Sequence, residues 1–382
     1  MASTVSRDPD GTARALRVLV APDSYKGTLT SVAVARALAD GWLRARPSDT
    51  LLLAPLADGG EGTLVAVEAS DGWSVETAEV HDPLGRPVRA RWLRSTDGGR
   101  AFVEMAAASG LSLVAAGDRD PAAATSVGTG EVLRAVLDAG IRHVAIGIGG
   151  SATTDGGAGL LRGLGATVSE DLVDADLAGL DPRLAEVTLR IACDVTNPLL
   201  GPSGAAAVYG PQKGATPADV DALDTRLAGF ASALSAATGT DERLTSGAGA
   251  AGGVGFGLLS VAGRFRSLTL EPGVDLVMAE AGFDAALAAS DLVLTGEGRI
   301  DAQTAFGKTA LGVARRAAAA GVPCLAFGGG VMPEGIEALA AVGAVAIPVA
   351  ERPMPLEEAL AAGVAPLERA AERTARLVSL PG

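Results

Sequence analysis

The sequence predicts an α/β protein in which a doubly wound parallel sheet is interrupted by a large inserted domain. Two observations predict the sheet: strands and helices alternate near the start of the chain, and the same alternation returns near its end. The third observation is a middle region in which polar and apolar residues alternate, which is typical of antiparallel strands. A length of 382 residues is sufficient for two domains.

The first elements are a strand, a helix and a second strand. Residues 17–21 (RVLVA) are an apolar run that ends at a proline, as a buried strand does. Thr30 or Ser31 can cap a following helix, which Pro47 stops. Residues 51–54 (LLLA) then predict a second buried strand, so the two strands are expected to be parallel.

The C-terminal region repeats this pattern. The predicted elements are a strand at 291–294, a helix at 308–320, a strand at 322–327, a short helix from Pro333, a strand at 343–349 and a helix from Pro355 to Val378. Together the two ends of the chain supply five parallel strands with covering helices. That number is typical of a flavodoxin-like domain.

The middle of the chain predicts a different domain. Its alternating segments with intervening turns, which predict antiparallel strands, are residues 73–80, 88–94 and 101–105. The predicted organisation is a disordered N-terminal extension at 1–15, a flavodoxin-like domain at 16–72 plus 289–382, and an inserted domain at 73–288. Because ligand sites favour domain interfaces, we expect the active site in the cleft between the two domains.

Composition excludes several classes of function. The net charge of −14 argues against a general nucleic-acid or anionic-membrane surface, although an anionic small molecule needs only a few local cations. Two distant cysteines and two histidines leave almost no material for disulfides, zinc sites or Ser-His-Asp catalysis. We expect a cytoplasmic protein with a small-molecule substrate, and the sequence does not predict its oligomeric state.

Glycine, at 51 residues, is concentrated beside acidic and hydroxyl side chains. Bare backbone N–H groups in such segments can bind anions. The five clusters are residues 22–27 (PDSYKG), 57–63 (ADGGEGT), 146–159 (IGIGGSATTDGGAG), 192–199 (ACDVTNPL) with 209–215 (YGPQKGA), and 295–301 (TGEGRID) with 306–309 (FGKT).

These clusters favour phosphoryl transfer, which needs cations around the phosphate, a metal held by oxygen ligands, and a group that orients the acceptor hydroxyl. The candidate cations are Lys26, Lys213, Arg299 and Lys308. The candidate carboxylates are Asp23, Asp58, Glu61, Asp155, Asp194, Glu297 and Asp301.

Two simpler motif interpretations carry less weight. The spacing from Gly147 to Ala152 matches a relaxed dinucleotide-binding fingerprint, which alone is a weak signal. The end of a P-loop is suggested at residues 307–309, but Ala302 occupies the position of its first glycine, so we reject a true P-loop.

As an ordered set, the clusters and their flanking segments closely resemble the bacterial glycerate kinase family over residues 17–350. The segments that carry the resemblance include VLVAPDSYKGTLT, PLADGGEGT, FVEMAAASGL, TSVGTGE, IGIGGSATTDGGAG, ACDVTNPLLGPSGAAAVYGPQKGA, GAAGGVGFG and LVLTGEGRIDAQTAFGKTALGVA. The resemblance implies ATP-dependent, Mg²⁺-dependent phosphorylation of (R)-glycerate to 2-phosphoglycerate. It also implies a flavodoxin-like domain holding an inserted domain similar to restriction-endonuclease folds.

We predict a role for each candidate residue. The catalytic set is Asp194, Lys26 and Lys308; the substrate-binding set is Asp23, Ser24, Asn197, Arg299 and Asp301; the nucleotide-binding set is Gly149, Gly150, Ser151, Lys213 and Glu297; the metal ligands are Asp58, Glu61 and Asp155. The residues leave open which carboxylates bind the metal and whether Asp194 is the base, a metal ligand or a turn-capping residue.

The chain departs from the family pattern in two places that concern the site. Thr154 stands where the family commonly has Asn, and the stretch from Gly165 to Asp181 is short. Four carboxylates in that stretch would repel an anionic substrate, so we expect a solvated surface turn. A nucleotide-dependent oxidoreductase, with Glu170 as the ribose anchor, and a non-enzymatic binding protein are the alternatives.

Overall fold

The computed structural model describes residues 14–302 and 309–379, which form thirteen strands and fourteen α-helices. The strands are β1 (Arg17–Val20), β2 (Thr50–Leu53), β3 (Trp73–His81), β4 (Pro87–Ser95), β5 (Arg100–Glu104), β6 (His143–Gly147), β7 (Thr167–Val168), β8 (Ala175–Asp176), β9 (Thr188–Ala192), β10 (Ser267–Glu271), β11 (Leu292–Ile300), β12 (Cys324–Val331) and β13 (Val345–Pro348). The helices are α1 (Ser31–Ala45), α2 (Thr63–Glu68), α3 (Ala106–Ser109), α4 (Val127–Asp138), α5 (Ala158–Gly163), α6 (Ala205–Tyr209), α7 (Pro217–Thr238), α8 (Ala250–Ser260), α9 (Gly273–Glu280), α10 (Phe283–Ala288), α11 (Thr309–Ala319), α12 (Pro333–Ala340), α13 (Leu356–Ala361) and α14 (Ala365–Val378).

The described residues divide into two compact units. Unit 1 contains residues 14–58, 65–71, 277–302 and 309–379, and unit 2 contains residues 59–64 and 72–276. The predicted domain boundaries stay a prediction. Among the described helices, none is long and apolar enough to cross a membrane.

Unit 1 is built on a five-stranded, wholly parallel sheet in the order β13-β12-β11-β1-β2. Its core joins the apolar strand residues to one face of α1 and one face of α14, including Leu38 and Trp42 of α1. Gly41 permits the two helices to approach closely, because a Cβ there would lie 2.1 Å from the carbonyl oxygen of Glu368. Because all five strands are parallel, their carboxyl ends lie at the same edge of the sheet.

Unit 2 is built on a six-stranded mixed sheet in the order β10-β9-β6-β5-β4-β3. The hairpin partners β3, β4 and β5 are antiparallel, while β5, β6, β9 and β10 are parallel to one another. The apolar residues of these strands pack with α4, α5, α7 and α8 into one large core. The four parallel strands therefore end at one edge of the sheet.

Most predicted elements are confirmed. The early strand–helix–strand unit is present, and Thr30 caps α1 by accepting a hydrogen bond from the N–H of Ala33 at 3.2 Å. The three alternating segments of the middle region form antiparallel β3, β4 and β5, and the mixed α/β class with parallel sheets is confirmed. The short acidic stretch forms β7 and β8, and its four carboxylates are exposed as expected.

Three details of the prediction are wrong. Strand β11 does not end at residue 294 but continues to Ile300, so the glycine-rich TGEGRI segment pairs with β12. The strand predicted at 322–327 likewise continues to Val331, so the glycines at 328–330 belong to β12. The final helix is two helices, because Gly363 has a φ of 62° between α13 and α14. Of the predicted N-terminal extension, residues 1–13 lie outside the described residues, and Arg14 forms an ion pair with Asp291.

A buried ion pair fixes the end of α1. Asp49 accepts hydrogen bonds from Arg46 Nε at 2.6 Å, from Trp42 Nε1 at 2.8 Å and from the N–H of Leu16 at 2.9 Å. The side chains of Arg46 and Asp49 are only 4% and 1% exposed. Removing one partner would leave a buried charge without compensation.

We therefore expect Asp49→Ala to lower the free energy of unfolding by about 3–5 kcal/mol, measured by urea denaturation. The control is Glu79→Ala, which breaks an ion pair with Arg89 whose side chains are both 70% exposed. That variant should lose less than about 1 kcal/mol. Equal losses of unfolding free energy in the two variants would contradict the expectation that the buried ion pair contributes more to stability than the exposed one.

Candidate active site

In unit 1, three of the predicted carboxylates lie near one another at the carboxyl edge of the sheet. Asp23 follows β1, Asp58 lies in the segment after β2, and Glu297 lies in the second half of β11. Asp23 accepts hydrogen bonds from the N–H of Ser24 at 2.6 Å and from Thr309 Oγ1 at 2.7 Å. Burial, reinforced by the charge on Asp58, raises the pKa of Asp23 despite these hydrogen bonds.

The side-chain ammonium of Lys26 is the cation of this cluster. Its Nζ lies 2.9 Å from Asp58 Oδ2, and the two side chains are 75% and 42% exposed. Burial opposes its charge, but Asp58, Asp23 and Glu297 raise the pKa of Lys26 above its ordinary value. The ammonium is therefore charged at neutral pH and accessible to an anionic ligand.

Tyr25 is a residue of this edge that the sequence analysis did not single out. Its hydroxyl donates to the carbonyl oxygen of Phe327 at 2.9 Å, and burial, with the charge on Glu297, raises its pKa. The glycine-rich ends of β11 and β12 pass close to it, since a Cβ at Gly329 would lie 3.4 Å from the Tyr25 ring. Tyr25 therefore supports the loop that carries Asp23 and Lys26.

In unit 2, Asp194 and Asn197 lie in the loop after β9. Asp194 is exposed, and its Oδ1 accepts the N–H of Gly273 at the start of α9 at 2.8 Å. The amide of Asn197 donates to the carbonyl of Ser203 at 2.8 Å and accepts from Tyr209 Oη at 2.7 Å. Asp194 and Asn197 thus lie in the same loop, but their side chains form hydrogen bonds with different residues.

The loop at residues 59–63 packs backbone to backbone against the loop after β6. The N–H of Gly149 donates to the carbonyl of Gly59 at 3.2 Å, and a Cβ at Gly147 would lie 2.5 Å from that same oxygen. Glu104, at the end of β5, holds the first loop by accepting the N–H groups of Gly62 at 3.2 Å and Leu64 at 2.7 Å. Its place in the FVEMAAASGL segment was the only sequence signal for Glu104.

The second half of the glycine-rich loop is held by Asp155. Its carboxylate accepts the N–H of Ser126 at 2.8 Å, the hydroxyl of Ser126 at 2.8 Å, the N–H of Gly157 at 3.0 Å and the N–H of Gly159 at 3.1 Å. The side chain is buried at the start of α5. These donors surround both oxygens, which fits a structural role and does not favour the predicted metal role of Asp155.

Lys213 lies under the middle of the same loop. Its Nζ donates to Ser151 Oγ at 2.9 Å and to the carbonyl of Thr153 at 2.5 Å. Burial lowers the pKa of Lys213 to about 7, while the charge on Asp155 acts in the opposite direction. The buried ammonium of Lys213 thus stabilises the loop from the interior of unit 2 through these two hydrogen bonds.

The remaining predicted residues are dispersed. Arg299 and Asp301 pair with each other at 3.2 Å, and Glu61 is exposed on the loop at 59–63. Gly150 is exposed with a φ of 74°, so its backbone can present an N–H where a side chain would be strained. Lys308 lies outside the described residues.

Within residues 14–302 and 309–379, no group of three or more His, Cys, Asp or Glu side chains could hold a metal ion. Magnesium does not require such a group, because it usually binds one or two carboxylates together with substrate phosphates and water. Asp58 offers one hard oxygen donor of that kind in unit 1, and the exposed Glu61 offers another in unit 2. The residues therefore fit a metal that arrives with a nucleotide.

Glu104 generates a prediction about pH. Because burial raises its pKa above the ordinary value of 4.5, the folded protein binds this proton more tightly than the unfolded chain. The contribution of Glu104 to stability therefore falls as pH rises from the ordinary value to the raised one. In Glu104→Gln this pH dependence should be absent. Urea denaturation at several pH values should therefore show that the free energy of unfolding of the variant, relative to the parent, increases as pH rises across this range.

The companion variant Glu104→Ala removes both acceptors and should lose about 1–3 kcal/mol at low pH, since the N–H groups of Gly62 and Leu64 lose their partner. Parallel pH profiles for the parent and Glu104→Gln would show that burial does not control this carboxyl group.

Known proteins resemble this chain over most of its length. The model of the glycerate kinase family matches residues 18–379. The chain is 41% identical to the glycerate kinase of Bacillus subtilis strain 168, with 96% of this chain and 98% of that protein covered. It is 43% identical to the glycerate 2-kinase of Escherichia coli K12, with 78% and 81% covered.

A solved structure gives the same result. The crystal structure described as glycerate kinase 2 from Salmonella typhimurium LT2 is 41% identical, matches with a TM-score of 0.81, and covers 95% of this chain and 98% of that one. The resemblance stated from the sequence motifs is thereby confirmed. Because both the family model and these relatives extend over most of the chain, it belongs to the glycerate kinase family and is a phosphotransferase with an alcohol group as acceptor.

Proposed function

We propose that this enzyme transfers the γ-phosphoryl group of ATP to a hydroxyl of (R)-glycerate, giving 2-phosphoglycerate, with Mg²⁺ as the metal. The observation that carries the phosphoryl-transfer step is the cluster in unit 1, where the accessible ammonium of Lys26 lies beside Asp58, Asp23 and Glu297. Phosphoryl transfer requires such a cation next to oxygen ligands for a divalent ion. The related B. subtilis and E. coli proteins are named for glycerate, which supports the acceptor.

The substrate carboxylate needs a cation of its own. Arg299 is exposed at the end of β11, and its guanidinium already pairs with Asp301 at 3.2 Å. We assign to Arg299 the recognition of the glycerate carboxylate, because a guanidinium can bind a carboxylate through two parallel hydrogen bonds. Ser24 and Asn197 are the proposed partners of the substrate hydroxyls.

The nucleotide phosphates are proposed to bind the loop at Gly149, Gly150 and Ser151. Support comes from its position directly after β6, at the carboxyl end of a parallel strand. We assign Mg²⁺ to Asp58 of unit 1, and not to Asp155, whose oxygens are occupied by loop N–H and hydroxyl groups. The metal role of Glu61 stays a prediction. When bound, the ion would neutralise charge on the phosphate oxygens.

The flavodoxin-like assignment of unit 1 is also a proposal. Numbered along the chain within the sheet, its strands lie in the order 2-1-3-4-5, which is the flavodoxin-like order. The likeness of the inserted region to restriction-endonuclease folds and the cytoplasmic location stay predictions. An oxidoreductase has less support, because the family is a kinase family and Glu170 is exposed in the short acidic stretch.

The substrate and product are tested by measuring ADP release with ATP and a panel of (R)-glycerate, (S)-glycerate, hydroxypyruvate, tartronate and simple sugars. We expect turnover with (R)-glycerate and a ³¹P NMR spectrum of the product that matches 2-phosphoglycerate. A product that matches 3-phosphoglycerate would contradict the proposed acceptor hydroxyl, and turnover without glycerate would contradict the acceptor itself.

The metal is tested by removal. Oxygen donors without a Cys/His cluster should hold Mg²⁺ or Mn²⁺ only together with the nucleotide, so excess EDTA should abolish ADP release and added Mg²⁺ should restore it. Full activity in EDTA would exclude the metal-assisted reaction.

Asp194 is the proposed residue that orients the glycerate hydroxyl or accepts its proton. Asp194→Asn keeps an oxygen to accept the N–H of Gly273, so the loop should fold, while kcat should fall about 10²- to 10⁴-fold. The matched control is Asp120→Asn, an exposed residue that likewise accepts a local backbone N–H, from Ala122 at 2.9 Å. If the two variants retain equal turnover, Asp194 only caps α9.

A further inference from the structure

Lysine is rare in this chain, and one of its lysines is buried. Of 31 basic residues only Lys26, Lys213 and Lys308 are lysines, and the others are arginines. Lys26 is exposed, whereas Lys213 is 2% exposed at the end of a short 3₁₀ helix, Pro211–Lys213. A lysine this deeply buried is uncommon unless its ammonium group has partners.

The partners of Lys213 are neutral oxygens of one loop. The ammonium donates to the hydroxyl of Ser151 and to the carbonyl of Thr153, which places both hydrogen bonds within three consecutive residues. Ser151 and Thr153 are themselves buried. The lysine thus ties down the segment that directly follows Gly149 and Gly150.

The other side of this segment is held by an unusual turn. Ala251, Gly252 and Gly253 have φ values of 54°, 69° and 91°, a run of left-handed residues inside α8. A Cβ at Gly252 would lie 1.9 Å from the carbonyl oxygen of Thr153, and the N–H of Gly156 donates to the carbonyl of Gly252 at 3.0 Å. The Thr153 peptide is therefore held between Lys213 and this left-handed turn.

We propose that Lys213 is a positioning residue: from inside unit 2 it holds the Ser151–Thr153 segment in the shape that binds nucleotide phosphates, without contacting the nucleotide. This inference rests on the proposed function. A lysine suits the role because its compact ammonium bonds two oxygens at the end of a thin chain, whereas a planar guanidinium needs more room.

The charge of the Lys213 side chain changes near neutral pH. Burial lowers the pKa of Lys213 to about 7, so the ammonium loses its proton as pH rises through that value. The charged group that acts on it is Asp155, whose charge favours the ammonium. The guanidinium of Arg119 donates to the carbonyl oxygen of the neighbouring Gln212 at 3.4 Å. The KM for ATP should therefore rise as pH increases past about 7, and a variant without the amine should lack this change.

The activity test is a double-mutant cycle of Lys213→Met and Ser151→Ala. Lys213→Met should raise the KM for ATP about tenfold or more, the equivalent of a hydrogen bond to a charged group, with a smaller change in kcat. If Lys213 acts through the loop, the double variant should be impaired clearly less than the product of the two single effects. Independent, multiplicative effects would overturn the proposal, as would an unchanged KM in Lys213→Met.

The matched control is Gln212→Ala, which removes the exposed neighbouring side chain and should leave KM unchanged. Lys213→Arg is the conservative variant. It should not restore the parent KM, because a guanidinium presents its donors in a planar fork, whereas this buried position holds a compact ammonium.

A second readout does not depend on activity or on a folded Lys213 variant. With ¹³C-labelled lysine the parent protein should give three side-chain signals, of which one titrates near pH 7 and responds to Ser151→Ala. The signal of Lys26 should instead titrate above the ordinary value of 10.5. Absence of any signal titrating near pH 7, or none that responds to Ser151→Ala, would overturn the placement of Lys213. Failure of the parent to phosphorylate glycerate would overturn only the proposed function.

Discussion

The contact between the backbones of Gly59 and Gly149 is the constraint on which the candidate site of unit 2 depends. The loop at 59–63 and the loop after β6 meet here with no side chains between them. A Cβ at Gly147 or at Gly149 would lie within 2.6 Å of the opposing backbone. The glycines of these segments are therefore needed first for packing, and only then for access to a ligand.

Buried charged groups give these side-chain-poor loops their shape. Glu104 holds the loop at 59–63, and Asp155 and Lys213 hold the loop at 147–157. Each charged group is costly to bury, but each is surrounded by donors or acceptors from the backbone it holds. Such an arrangement selects one loop conformation among the many that a glycine-rich segment can adopt.

The sequence predicts the parts of the structure that depend on local signals. Apolar runs identify β1 and β2, and Thr30 marks the start of α1. Both signals can be recognised because strand burial and helix capping depend on residues that are close together in the sequence. The extension of β11 could not be predicted in this way. Its glycines have low strand propensity, and they are strand residues because β12, which is itself glycine-rich, pairs with them.

The candidate site shows the same limit. Motifs point to Asp23, Lys26 and Asp58, which do lie together in unit 1. They cannot distinguish a lysine that faces a ligand from one that faces the interior, so Lys213 was assigned to the nucleotide although its ammonium is buried. Glu104 and Tyr25 were missed because their roles arise from partners about forty and three hundred residues away.

The left-handed turn beside Thr153 has a consequence for how this sequence can drift. Ala251 is the one residue of that three-residue turn that carries a Cβ, and a left-handed conformation costs an alanine roughly 1–2 kcal/mol. Its methyl group packs against the core of unit 2, which offsets part of that cost. Alanine and glycine codons differ by a single nucleotide, so glycine is one step away and sterically permitted. Valine and threonine are equally close in the genetic code, but their branched side chains are strongly disfavoured in this conformation. Of these three exchanges, only the one to glycine relieves the backbone strain at position 251.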